Sequence, residues 1–174
     1  TYRFVNAGLL QMIGGGTNNI QVPLDNTGVV SADNGNLYLT GSVTSTGTLQ
    51  ADQGNLYVAG GTISGVVQNI SSNGANVYLY GTYAVAGIDD VTFGGVVLGA
   101  GGSSIAVLDG LGTLVSTGYV YTYQYGGQVE LQLTGGVTWD NDGFVNQNGA
   151  IQFAATAGNT ATIVNAAGAT YDLS

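Results

Sequence analysis

The acidic residues are the first candidates for chemistry in this chain, because most other catalytic side chains are missing. The chain has no His, no Cys and no Lys, and its one cationic side chain is Arg3. A Ser-His-Asp triad, a histidine or thiolate zinc site and a lysine nucleophile are therefore excluded. The 10 acidic residues remain. Acidic side chains can act as paired carboxylates in a glycoside hydrolase or as ligands of a hard cation.

Two pairs of aspartates are close in sequence. Asp89 and Asp90 are adjacent in "GIDDVTFGG", and neighbouring residues on a strand point to opposite faces. We interpret them as solvated turn residues, and we predict no catalytic residue and no enzymatic activity. Asp140 and Asp142 in "TWDNDGF" have the Asp-x-Asp-Gly spacing of calcium loops but lack the distal bidentate Glu. They form the predicted metal site, which would bind calcium, and no other cofactor is expected; a plain Asx turn is the competing interpretation.

A run of alternating tyrosines predicts an interaction surface. In "GYVYTYQYGG" every second residue is a tyrosine, and on a β-strand all four would share one face: Tyr119, Tyr121, Tyr123 and Tyr125. Large aromatic side chains with a polar tip can pack within the chain, against another subunit or against a sugar. All three interpretations stay open.

A repeat of about 20 residues must position these side chains. "NTGVVSADNGNLYLTGSVT" at 26–44 runs directly into "STGTLQADQGNLYVAGGTI" at 45–63, and nine positions are identical. A looser copy follows around 74–81, and another precedes them from Asn6. This period is too short for a propeller blade and lacks the helix of a leucine-rich repeat, but it suits one coil of a parallel β-helix. One such rung cannot bury enough apolar surface alone, so we expect the copies to stack.

The repeat predicts an all-β fold with one domain over 1–174. We expect a single parallel β-helix, right-handed by the general rule for crossovers, with roughly eight rungs of about 19–21 residues. The rungs should be regular over 4–81, less regular over 82–143, and repeat-like again over 144–174, because "FVNAGLLQ" at the start returns as "FVNQNGAIQ". The alternative fold is a β-sandwich filament subunit with strand exchange.

The strand pattern also predicts which side chains line up along the stack. "NLYLTG", "NLYVAG" and "NVYLYG" each alternate apolar and other residues and end at a glycine. Two rows should stack inside: Leu37, Leu56 and Val77, and beside them Leu39, Val58 and Leu79. One row should stack outside: Tyr38, Tyr57 and Tyr78. These three tyrosines are a second predicted interaction surface.

The charge of the chain excludes two classes of partner. The net charge is −9 and only one residue is cationic, so we expect no nucleic-acid binding and no attraction to an anionic membrane. No apolar run approaches the length of a membrane-spanning helix, and we expect no membrane insertion.

The stretch "FVNAGLLQMIGGGTNNIQVPLDNTGVVSADNGNLYLTG" resembles the repetitive passenger regions of large secreted bacterial adhesins, the filamentous-haemagglutinin-like and autotransporter-like proteins. In those regions "F-x-N-x-G-x-L" and related Gly-rich phrases recur. The resemblance covers 4–63 well and 144–174 loosely. It implies a secreted or cell-surface β-helical fibre, and it supplies no catalytic residues.

Two functions from different classes follow as expectations. The first is a structural or adhesive module whose partners are copies of itself or neighbouring repeats. The second is a carbohydrate-binding or carbohydrate-active β-helix, similar to a tailspike or a pectinase, with surface glycans as partners. A glycan-cleaving site would need carboxylates clustered within about 10 Å, whereas the sequence scatters them.

Overall fold

The computed structural model describes residues 2–71, 73–85, 91–99, 105–122, 129–154 and 160–174. Every regular element in these ranges is a β-strand, and none of them contains a helix that could cross a membrane. The strands, in chain order, are β1 (Phe4–Asn6), β2 (Leu9–Met12), β3 (Thr17–Ile20), β4 (Leu24–Asn26), β5 (Val29–Ala32), β6 (Asn36–Leu39), β7 (Val43–Ser45), β8 (Thr48–Ala51), β9 (Asn55–Ile63), β10 (Val66–Asn69), β11 (Val77–Val85), β12 (Val91–Gly94), β13 (Val96–Leu98), β14 (Ala106–Gly110), β15 (Thr113–Ser116), β16 (Tyr119–Thr122), β17 (Val129–Gly135), β18 (Thr138–Asn141), β19 (Phe144–Gln147), β20 (Ala150–Ala154), β21 (Thr162–Asn165) and β22 (Thr170–Leu173).

The strands form two long parallel sheets. One sheet has eight strands in the order β2-β5-β8-β10-β12-β15-β18-β21, and the other has 14 strands. All pairings between the described strands are parallel, whereas β-sandwiches are built from antiparallel sheets. The chain is therefore all-β with long parallel sheets, an arrangement compatible with the predicted β-helix and not with the sandwich alternative.

The strand pairings define three faces. Face 1 consists of β1, β4, β7, the second half of β9, the second half of β11, β14, β17 and β20. Face 2 is the eight-stranded sheet. Face 3 consists of β3, β6, the first half of β9, the first half of β11, β13, β16, β19 and β22. Faces 1 and 3 belong to the 14-stranded sheet because β9 and β11 each extend across both. We call one visit to all three faces a pass.

The predicted inner rows are confirmed. Leu37 pairs with Leu56, which pairs with Val77, and the adjacent row is also in register. All six side chains are buried: Leu37, Leu39, Leu56, Val58, Val77 and Leu79. The later passes continue the interior with further apolar side chains, among them Trp139, which is fully buried. A single apolar core therefore extends through the described passes.

Buried polar side chains line up along the same axis. The Asn6 Nδ2 donates to the Asn26 Oδ1 at 2.8 Å, and the Asn26 Nδ2 donates to the Ser45 Oγ at 3.0 Å. A second ladder connects Ser116 to Asn141 at 3.2 Å and Asn141 to Asn165 at 2.7 Å. Each side chain bonds to an equivalent in an adjacent pass, so the buried amides of Asn6, Asn26 and Asn141 are satisfied by the stacking.

The later passes are longer than the predicted 19–21 residues. Partners in the first ladder are 20 and 19 residues apart, but partners in the second are 25 and 24 apart. Apart from β9, β11 and β17, the strands have three to five residues throughout, and the connections between the later strands are longer. The repeated phrase "FVN" also does not mark equivalent positions, because β1 lies on face 1 and β19 lies on face 3.

Candidate functional site

The predicted outer row of tyrosines forms a stacked ladder on face 3. The rings of Tyr38 and Tyr57 are 4.3 Å apart and nearly parallel, and those of Tyr57 and Tyr78 are 4.6 Å apart. An amide row lies two residues earlier on the same strands, where the Asn55 Nδ2 donates to the Asn36 Oδ1 at 3.1 Å. The parallel register places identical residues one above the other, which is why the Asn-x-Tyr phrase becomes two ladders.

The stacking decides what the rings can offer to a ligand. Within the ladder each ring face covers its neighbour, so the rings present their edges and hydroxyl groups outward. Burial raises the pKa of the nearby Tyr80 phenol, with a smaller contribution from Tyr38. This phenol is therefore neutral at neutral pH. The surface is polar and aromatic, and sugar stacking on ring faces is confined to the outer ends of the ladder.

The alternating tyrosines after Gly118 lie farther along face 3. Tyr119 is 47% exposed and stacks on Phe144 at 5.3 Å, while Val120 behind it is fully buried. The Tyr121 hydroxyl accepts a hydrogen bond from the Asn148 Nδ2 at 2.7 Å. The predicted alternation thus holds over β16, and it lies on the same face as the first ladder. Tyr123 and Tyr125 lie outside the described residues.

The predicted calcium ligands lie around the end of β18. Asp140 is on the outer side of face 2, where its Oδ1 is buried and has no hydrogen-bond partner among the described residues. Asp142 is exposed at the corner that follows, and Asn141 between them points inward into the buried amide ladder. The two carboxylates therefore flank an inward side chain. Calcium binding at Asp140 and Asp142 stays a prediction.

The other charged residues in the described part of the chain include one surface ion pair. No three acidic side chains in the described ranges are close enough to hold a metal ion together. The Arg3 guanidinium binds the Asp25 carboxylate at 2.6 Å on the surface of face 1. Asp89 and Asp90, the other adjacent pair, lie outside the described residues.

The first and last described passes carry exposed apolar side chains. At the first pass Phe4 is 41% exposed, although its register partner Leu24 in the next pass is buried. At the last pass Phe153 is 54% exposed, although its partner Leu133 is fully buried. Both aromatic rings occupy inward positions that no further strand among the described residues covers.

A cavity of about 280 Å³ opens beside the first pass. Its lining includes Leu10, Ile20 and Leu37, together with the amides of Asn18 and Asn19. Asn18 is in register with Leu37 and so occupies an inward row that is apolar in the next passes. The sequence repeat did not indicate this cavity, because it arises where the regular row of inward apolar residues stops.

No known protein family, curated protein or solved structure matches the chain.

Proposed function

We propose that this chain is a structural segment, an eight-rung parallel β-solenoid that serves as a stiff building unit of an extracellular bacterial surface protein or fibre. In this proposal each pass is one rung, and the unit works by stacking its end rungs against equivalent rungs. Eight rungs about 4.8 Å apart give a rod of roughly 40 Å.

The observation that carries the proposal is the exposure of inward aromatic side chains at both ends of the parallel stack. Phe4 and Phe153 occupy rows that are filled and buried in every adjacent pass. An incoming parallel strand would cover these rings and pair with the free backbone groups of the end strand. A rung from a second copy or from neighbouring repeats would fit against such an end rung, because the internal rungs pack against one another in the same way.

The proposed extracellular setting rests on the composition and on the resemblance to adhesin repeats. One Arg and no Lys leave trypsin-like proteases a single cleavage site. Absence of Cys suits a rod that is stable without disulfides, since its core and ladders are continuous. These features support the setting and do not depend on any catalytic group.

A second candidate is a carbohydrate-binding β-solenoid, favoured by the ladder of Tyr38, Tyr57 and Tyr78 beside an amide row. Aromatic side chains and amides are common in sugar-binding surfaces. The ladder is the weaker argument, because its ring faces already cover one another.

Electron microscopy and light scattering at increasing protein concentration test the structural proposal. The wild-type chain should form rods that lengthen with concentration, and Phe153→Glu should keep the rods at the length of one unit. Leu111→Glu is the matched control, since Leu111 is 74% exposed and lies in the connection between β14 and β15, away from both ends of the stack. Wild-type chains that stay single at every concentration, or Phe153→Glu chains that lengthen like the wild type, would contradict end-to-end stacking.

A further inference from the structure

Face 3 has an outer surface without charge over most of its length. From β3 to β19 its described outward positions hold Asn, Thr, Tyr, Val and Phe, and Asp172 on β22 is the first charged residue. We call the outward side chains of β3 to β19 on face 3 the tyrosine face. The other faces differ, because face 1 carries Asp109 and the ion pair of Asp25 with Arg3, and face 2 carries Asp140.

This distribution of charge decides how two copies could approach each other sideways. The chain has a net charge of −9, so two copies repel at long range. Contact through face 1 would add repulsion from Asp109, whereas the charge of Asp25 is balanced by Arg3. Contact through the tyrosine face would leave the described carboxylates of faces 1 and 2 on the far sides, in water.

The shape of the tyrosine face suits another sheet. The ladder of Tyr38, Tyr57 and Tyr78 and the amide row of Asn36 and Asn55 present regularly spaced ridges of ring edges and amide groups. Two sheets that carry such ladders can interdigitate their side chains, as stacked aromatic and amide rows do in paired β-sheets. A second copy of this chain offers the same ridges with the same spacing.

We propose that the tyrosine face binds the same face of a second copy, side by side, around a two-fold axis. This inference rests on the proposed structural function and names the lateral partner of the rod. Strands of about four residues are roughly 13 Å long, and seven of them about 4.8 Å apart extend over roughly 29 Å. The contact covers about 400 Å² on each copy, which is small for a specific interface. Pairing of single units is therefore weak, and it strengthens when rods present many units together.

The lateral contact can be separated from end stacking by blocking the ends first. In a chain carrying Phe4→Glu and Phe153→Glu, sedimentation velocity up to millimolar concentration should still show dimers. Adding Asn36→Asp should weaken the dimer at least tenfold. This change is nearly isosteric and keeps the Oδ1 acceptor that Asn55 uses. The matched control is Gln152→Glu on face 1, which adds the same charge and keeps the acceptor used by Gln132.

The salt dependence of dimerisation distinguishes repulsion between charges from a change in the folded structure of the unit. Raising the salt concentration screens the net charge of −9 and the added carboxylates. The dimer of the end-blocked chain should tighten with salt, and the Asn36→Asp dimer should recover part of its loss.

Three results would overturn the lateral proposal. End-blocked chains could stay monomeric up to millimolar concentration, or their dimers could respond equally to Asn36→Asp and Gln152→Glu. In the third, the chain would bind a soluble neutral β-glucan through Asn36 and show no self-association. Failure of end stacking is a separate result, since it appears as rods that do not lengthen in the unblocked chain.

Discussion

The glycines at the corner between faces 1 and 2 allow a sharp test of the stacking geometry. Gly8, Gly28 and Gly47 occupy the same place in successive passes, and none of them has a positive φ. A Cβ added to Gly47 would lie 2.1 Å from the Gly28 carbonyl oxygen, and one added to Gly28 would lie 2.1 Å from that of Gly8. A Cβ on Gly8 would have no neighbour within 4 Å among the described residues. Gly47 must therefore be a glycine because the Gly28 backbone approaches it closely, and not because of its own backbone conformation.

The predicted magnitude follows from these distances. Relieving a 2.1 Å contact requires the Gly47 corner to move by about 1 Å, as in overpacked cores that lose roughly 1–3 kcal/mol. The movement also strains the Thr48 N–H bond to the Gly28 oxygen, now 2.8 Å, and each weakened hydrogen bond contributes about 0.5–1.5 kcal/mol. Gly47→Ala should therefore lower the free energy of unfolding by about 2–4 kcal/mol. Gly8→Ala should change it by less than about 1 kcal/mol, because only the unfolded chain is affected.

Urea unfolding of dilute protein, followed by the fluorescence of the buried Trp139, measures both variants. Equal losses for Gly8→Ala and Gly47→Ala would refute the close-approach argument, because the two glycines differ only in having a preceding pass. The same pair also reports on assembly. The methyl group of Gly8→Ala would clash with an incoming rung, just as the methyl group of Gly47→Ala clashes with the Gly28 backbone. Gly8→Ala should therefore shorten rods while leaving the single unit stable.

Three further predictions concern buried polar groups. Asn26→Ala should lower the free energy of unfolding by about 1–3 kcal/mol, because it removes the middle of a buried amide ladder; Asn36→Ala in the half-buried outer row should cost less, and equal losses would contradict the difference in burial. Tyr83→Phe should cost about 1–3 kcal/mol in urea unfolding, since the buried Gly60 N–H loses its 3.0 Å bond to the phenol oxygen; an unchanged stability would mean that another acceptor replaces it. Stability should also fall in alkali, because burial raises the pKa of Tyr171 to about 12 and raises that of Tyr83 as well. The unfolded phenols lose their protons near pH 10, so stability is intact below that pH and is lost as pH rises toward 12. The urea midpoint should decline less steeply for Tyr83→Phe than for the wild type, and parallel declines would contradict the assignment.

The inner rows and the first tyrosine ladder could be predicted because two adjacent copies of the repeat share nine positions. Identical residues 19 positions apart, such as Leu37 and Leu56, must be stacked in register if the copies are successive parallel rungs. The alternation of burial on "NLYL" then separates inward leucines from outward tyrosines. In this region sequence identity and spatial equivalence coincide.

The second half of the molecule could not be predicted in the same way, because equivalent positions there hold different residues at wider spacing. Tyr119 stacks on Phe144, and Ser116 bonds to Asn141, although neither pair is identical in type. Connections of changing length remove the constant period that reveals a repeat. The placement of Tyr119 on the same face as Tyr38 depends on the register through β13, which sequence spacing does not determine.

The energetics of such a stack favour repetition of the unit. Each internal rung gains contacts above and below it, while the entropy of ordering its roughly 20 residues is lost once. The two end rungs gain only one set of contacts, and Phe4 and Phe153 stay partly exposed as a result. This deficit is the same for a stack of any length, so its share of the total free energy falls as rungs are added. Joining two units end to end removes two of the four ends without any new type of contact. Under the proposed function, the same in-register geometry that forms the core would drive end-to-end assembly, and the tyrosine face would be the lateral contact between the resulting rods.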